Sequence, residues 1–134
     1  MNKSYSFTIE GRPKAKQSTR FTKSGKCYTD YSVANYQSLG KWKIKEKFRD
    51  NIITKPAKLE VKAYFSIPKS TKKHLKQKLL NSPYPHKPDG DNLLKMVCDI
   101  LKDITIKDDN LITSKSIDKL YGERARTEIY LEVL

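Results

Sequence analysis

The stretch 90–104 constrains the fold more than any other part of this sequence. Leu93, Val97, Ile100 and Ile104 recur at helical spacing, and Leu94, Met96 and Leu101 widen the stripe. A helix with one broad apolar face needs an apolar partner to cover it. Segments of period two supply one. Tyr5, Phe7 and Ile9 alternate with polar residues, so 4–10 reads as a strand, ended by Gly11 and Pro13. Leu59, Val61, Ala63, Phe65 and Ile67 share one face of a strand at 58–67, which Pro68 stops. Residues 110–120 and 125–133 read as two more strands, paired as a hairpin across 121–124.

The remaining segments are less regular. Residues 31–49 predict a helix with Val33, Tyr36, Ile44 and Phe48 on one face. Leu39 and Trp42 fall off that stripe. Two readings stand for them: ordinary partial exposure, or a subunit interface, where Trp is common. Residues 71–80 can form a short basic helix, and Pro83, Pro85 and Pro88 keep 82–88 extended. Residues 12–30 are polar and basic and read as a long loop or irregular hairpin, a kind of segment that is usually functional or mobile. The order predicts an α/β (α+β) domain spanning 1–134: a small mixed sheet of about four strands with helices packed on it.

No apolar run is long enough to span a membrane, and 1–10 lacks a signal-peptide core. Cys27 and Cys98 form neither a disulfide framework nor a metal-ligand spacing. The expected compartment is a reducing cytoplasm.

Charge narrows the function. The net charge is +13, from 28 Lys and Arg against 15 Asp and Glu. A balance this basic favours a polyanionic partner, nucleic acid first, because Lys and Arg on phosphates release counterions. Six basic side chains fall within 11–30 (Arg12, Lys14, Lys16, Arg20, Lys23, Lys26), opposed only by Asp30. Six more fall within 68–88 (Lys69, Lys72, Lys73, Lys76, Lys78, Lys87), with no acid. Then six of the fifteen acids crowd into 89–109: Asp89, Asp91, Asp99, Asp103, Asp108 and Asp109. Such a cluster repels DNA unless a cation sits within it, and a divalent metal is the simplest one.

Asp89 and Asp91 stand at the start of the 90–104 helix. Asp91 lies about 160° around that helix from Leu93, away from the buried stripe. Asp91, Lys95 and Asp99 follow at i, i+4 and i+8, a polar column. The turn before the next strand can return Asp109 to the first pair. Mg²⁺ is hard and oxygen-seeking, is held by a few carboxylates with water and phosphate, and serves phosphodiester hydrolysis. Lys95 could hold water or neutralise charge on the phosphate. The bland alternative is that Asp89 or Asp91 caps the helix and Asp91–Lys95 is a surface pair worth about 0.3–0.5 kcal/mol. The clustering of acids inside a basic chain favours the metal. Asp103 reads as a solvated helix-end residue. A calcium loop fails because Ile100 stands where Glu is required, and two histidines, His74 and His86, are too few for a His-metal site. His86 stands at the site's edge, as a phosphate contact or an exposed side chain.

The run Lys87-Pro88-Asp89-Gly90-Asp91-Asn92-Leu93-Leu94-Lys95, with Asp99 and then Asp108-Asp109, resembles the signature of the RusA family of Holliday junction resolvases. Ile67-Pro68-Lys69-Ser70, the basic segment from Arg12 to Phe21-Thr22, and Tyr28-Thr29 extend the resemblance over nearly the whole chain. Leu111 departs from the pattern, which has Gln there. The resemblance implies a homodimeric, Mg²⁺-dependent endonuclease, with Mn²⁺ able to substitute, that nicks four-way DNA junctions in pairs during recombination and repair. It implies metal-binding roles for Asp89, Asp91 and Asp109, a catalytic Lys95, and acidic support from Asp99 and Asp108. Arg12, Lys14, Lys16, Arg20, Lys23, Lys26, Lys69, Lys72, Lys73 and Lys76 would track the junction arms, and Phe21 and Tyr28 either stack on unpaired bases or anchor the loop. The family is frequent in phages, which points to a host cytoplasm. Two other classes remain: a flap or fork nuclease of the same fold, and a non-catalytic branched-DNA or RNA-binding module whose acids only cap a helix.

Overall fold

The computed structural model describes residues 3–16, 20–21, 23–25, 27–28 and 31–134, with the backbone alone at 20, 21, 27 and 28. The elements run β1 (Ser4–Glu10), β2 (Arg20–Phe21), β3 (Cys27–Tyr28), α1 (Tyr31–Lys47), β4 (Ala57–Ser66), α2 (Lys73–Leu79), α3 (Gly90–Leu101), a 3-10 turn (Asp109–Leu111), β5 (Ile112–Gly122) and β6 (Arg126–Val133). β1, β6, β4 and β5 form a mixed four-stranded sheet in that order. β2 and β3 pair antiparallel, so the irregular-hairpin expectation for 12–30 holds to that extent.

β4 is central because its side chains demand it. Ala57, Leu59, Val61, Ala63 and Phe65 are all buried on one face. α1 and α3 pack over that face and against each other. Val33, Tyr36 and Ile44 of α1 meet Met96, Val97, Ile100 and Leu101 of α3 above Phe7, Ile9, Leu59, Val61, Ile129 and Leu131 of the sheet. The two helices touch at Gly40, where a Cβ would come within 2.8 Å of Ile100 and 3.0 Å of Ile9. Leu39 and Trp42 face outward from α1.

The structure corrects the sequence reading in two places. β5 and β6 do not pair as a hairpin: β4 lies between them, parallel to β5 and antiparallel to β6. Residues 123–125 step over β4, across two strand spacings of about 4.8 Å each, well within reach of three residues. Gly122 makes the step tight: a Cβ there would sit 3.0 Å from the Tyr64 ring and 3.3 Å from the Arg124 carbonyl. α3 also stops at Leu101 rather than 104. Asp103 takes φ of +66°, a left-handed turn that ends the helix, and the Thr105 hydroxyl donates to the Leu101 carbonyl at 3.1 Å.

Candidate active site

β5 and α3 together build the candidate site. Along β5, alternate residues face α3. Lys115 stands beside Asp91, Lys95 and Asp109 in one cleft, and Ile117 lies under Gly90, 3.1 Å from where a Cβ would be. The missing side chain at Gly90 lets the helix N-terminus press onto the strand. Lys119 reaches the loop before the helix, and Tyr121 meets Tyr84 edge-on at 5.1 Å.

The cleft holds about 240 Å³ and is lined by Asp91, Leu94, Lys95, Cys98, Asp99, Asp109 and Lys115. The predicted column of Asp91, Lys95 and Asp99 therefore shares one space with Asp109, which the 3-10 turn brings back against α3. Cys98 is a buried free thiol, and burial pushes its pKa up, so it presents a neutral SH. Asp108 turns to its own backbone: its carboxylate accepts the Asn110 N–H at 3.0 Å, and chiefly that bond holds its pKa below the ordinary value.

Asp89 occupies the N-cap position of α3, yet its carboxylate accepts no capping hydrogen bond. It is exposed and is not among the residues lining the cleft. Among the described residues, Asp89, Asp91 and Lys95 form no ion pair, and no three His, Cys, Asp or Glu side chains gather closely enough to cage an ion. Of the three carboxylates that line the open cleft, Asp99 is paired with Lys16, and the other two still match the usual protein share of a Mg²⁺ site, because that ion keeps several waters and takes its other oxygens from substrate phosphates. By donor chemistry, Asp91 and Asp109 fit the ion.

Asp99 has a partner the sequence did not suggest. Lys16 Nζ lies 2.9 Å from its Oδ2, and the Lys16 backbone N–H donates to the Asn92 carbonyl at 2.9 Å. These bonds dock the basic 12–16 segment along α3 beside the cleft. Arg12 lies over Phe65, 5.1 Å from the ring centre, and reaches the Tyr84 hydroxyl at 3.5 Å. Lys14 is half-buried, and Lys23, Lys69, Lys72 and Lys73 are exposed, with Lys76 partly so. The side chain of Arg20 and all of Lys26 lie outside the described residues, as do the side chains of Phe21 and Tyr28 and all of Thr22 and Thr29. His86 is exposed, edge-on to Tyr84 at 5.2 Å.

Lys115, Lys119 and the Lys16–Asp99 pair escape a reading of the sequence. Alternation along β5 places 115, 117, 119 and 121 on one side, but nothing local says that this side faces α3.

Fold and site thus define a two-layer α/β protein with a basic surface and a cleft shared by carboxylates and lysines. The family model for endodeoxyribonuclease RusA matches residues 10–132. The chain is also 32% identical over 133 residues to "Uncharacterized protein YqaN" of Bacillus subtilis (strain 168), covering 93% of each chain. The chain belongs to the RusA family of endodeoxyribonucleases. Among the described residues, no helix is long and apolar enough to cross a membrane.

Proposed function

We propose that this chain is a Mg²⁺-dependent endonuclease that resolves four-way DNA junctions by paired, symmetric nicks. One observation carries the reading: Asp91, Lys95 and Asp109 line a single open cleft in a chain of net charge +13. Asp91 and Asp109 would hold the ion from opposite elements, with Asp89, left free of capping, as the third carboxylate that the family pattern implies. When bound, such an ion lowers the pKa of water and neutralises charge on the phosphate and the leaving oxygen.

The protein's own groups do the rest. The Lys95 ammonium sits one helical turn from Asp91, placed to orient water or to stabilise the charged phosphoryl oxygens. Lys115 adds a second positive charge to the cleft wall. Water oxygen bonds to phosphorus and releases one proton to solvent as the bond to the 3′ oxygen breaks, and the 3′ oxygen takes up a proton from solvent. The products are a 5′-phosphate and a 3′-hydroxyl, which a ligase can reseal. Lys14, Lys16, Lys23, Lys69, Lys72, Lys73 and Lys76 would follow the phosphates of the arms. A homodimer would present two such clefts to a two-fold junction.

The test is a cleavage panel of four-way, three-way, flap and linear duplex DNA, with Mg²⁺ and with EDTA. Symmetric nicks in the four-way junction, dependent on Mg²⁺ and far faster than on linear duplex, are expected. Preference for the flap would move the substrate assignment to a fork or flap nuclease. Tight junction binding with no cleavage of any substrate would leave only the binding module.

A further inference from the structure

We infer that Lys119 is a positioning residue for the metal centre, acting through the backbone that carries Asp89; this rests on the nuclease reading above. The loop leading to Asp89 contains Pro83, Pro85 and Pro88, each without an N–H, so it is poor in groups that could tie it down. It borrows its anchors from β5. The Tyr84 N–H donates to the Lys119 carbonyl at 2.9 Å, and the Tyr121 N–H to the Ser82 carbonyl at 3.0 Å. Past Tyr84 the strand-like pairing ends, and side-chain bonds take over. Lys119 Nζ donates to the His86 carbonyl at 2.7 Å and to the Pro88 carbonyl at 2.9 Å, while lying 5.9 Å from the centre of the Tyr84 ring.

The Pro88 carbonyl belongs to the peptide bond that begins Asp89. An ammonium group bonded there fixes the last fixed point before a carboxylate that makes no capping bond of its own. The register of β5 makes the hold precise in space: Lys115 stands at the cleft and Ile117 under Gly90, so Lys119 falls two residues beyond, on the far side of the helix start. One strand thus contacts the cleft, the helix N-terminus and the loop before it. Lys119 neither lines the cleft nor pairs with an acid among the described residues. Its work is to hold two carbonyls.

Substitution of groups that orient metal ligands typically weakens metal affinity about 10–100-fold. Lys119→Met keeps the length of the side chain and removes its donors. Mn²⁺ binding, followed by electron paramagnetic resonance, should weaken about 10-fold or more in Lys119→Met. Junction binding in EDTA should match wild type, because the Lys119 ammonium is engaged with the His86 and Pro88 carbonyls. Lys119→Arg, which keeps charge and donors, should recover most of the affinity. If Lys119→Met fails to fold, Lys119→Gln, with one amide donor group, replaces it and should show an intermediate loss. Mn²⁺ affinity within twofold of wild type in the folded variant would overturn the inference and leave the nuclease reading standing. Absence of a Mn²⁺ site in the wild-type protein that Asp91→Asn abolishes would remove both.

Discussion

Asp91→Asn should slow cleavage of a four-way junction by about 10³-fold or more while junction binding stays as tight or becomes tighter. The carboxylate faces a cleft that also holds Lys95, Asp109 and Lys115. The amide keeps the shape and loses the charge that would hold a cation. Loss of a few kcal/mol of charge stabilisation in the transition state is a factor of about 10³, since each ~1.4 kcal/mol is tenfold. Binding moves the other way because one negative charge facing phosphate is gone. The fold should survive: Asp91 is exposed in the first turn of α3, and losing its interaction with the helix dipole costs about 0.3–1 kcal/mol. Single-turnover cleavage and gel-shift titration on the same junction measure both. A variant that cuts at the wild-type rate would refute the site.

Phe65→Ala should be the most damaging single change to the fold near the site. Phe65 is fully buried in the central strand, and its ring stacks on Tyr84 at 4.1 Å and 8°. The Arg12 guanidinium lies over the same ring, and Ala63 and Leu93 pack beside it. Truncation leaves a cavity that Ala63, Leu93 and Tyr84 can only partly fill, at a cost of about 3–5 kcal/mol. That is a large share of a typical domain's stability of roughly 5–15 kcal/mol. Chemical denaturation should show the midpoint falling with little change in slope. Because Tyr84 begins the segment that leads to Asp89, cleavage should fall even where the variant remains folded. A midpoint shift worth less than about 1 kcal/mol would contradict the packing described here.

Much of this was legible in the sequence, for physical reasons that differ by element. β4 declares itself because a central strand must bury every second side chain, and Leu59, Val61, Ala63 and Phe65 do so. α3 declares itself by its stripe, and the polar column of Asp91, Lys95 and Asp99 follows from the same geometry. Strand order was not legible. Alternation shows that 112–122 and 126–133 are strands but not that β4 separates them, which depends on how α3 returns the chain alongside β4. The end of α3 was missed because Ile104 continues the apolar spacing while Asp103 has already left the helix. In the site, local spacing found the acids on α3 and the paired Asp108 and Asp109. It could not find Lys16, Lys115 or Lys119, whose partners lie far along the chain and are chosen by packing alone. Nor could it tell that Asp108 turns to Asn110 while its neighbour faces the cleft.

The most direct measurement is an anomalous-scattering map from crystals of the protein grown with Mn²⁺. A single strong peak between the carboxylates of residues 91 and 109, with the ammonium of residue 95 nearby, is the expected result. Peaks confined to other surfaces, with that space empty at saturating Mn²⁺, would contradict the assignment of this cleft as the catalytic centre.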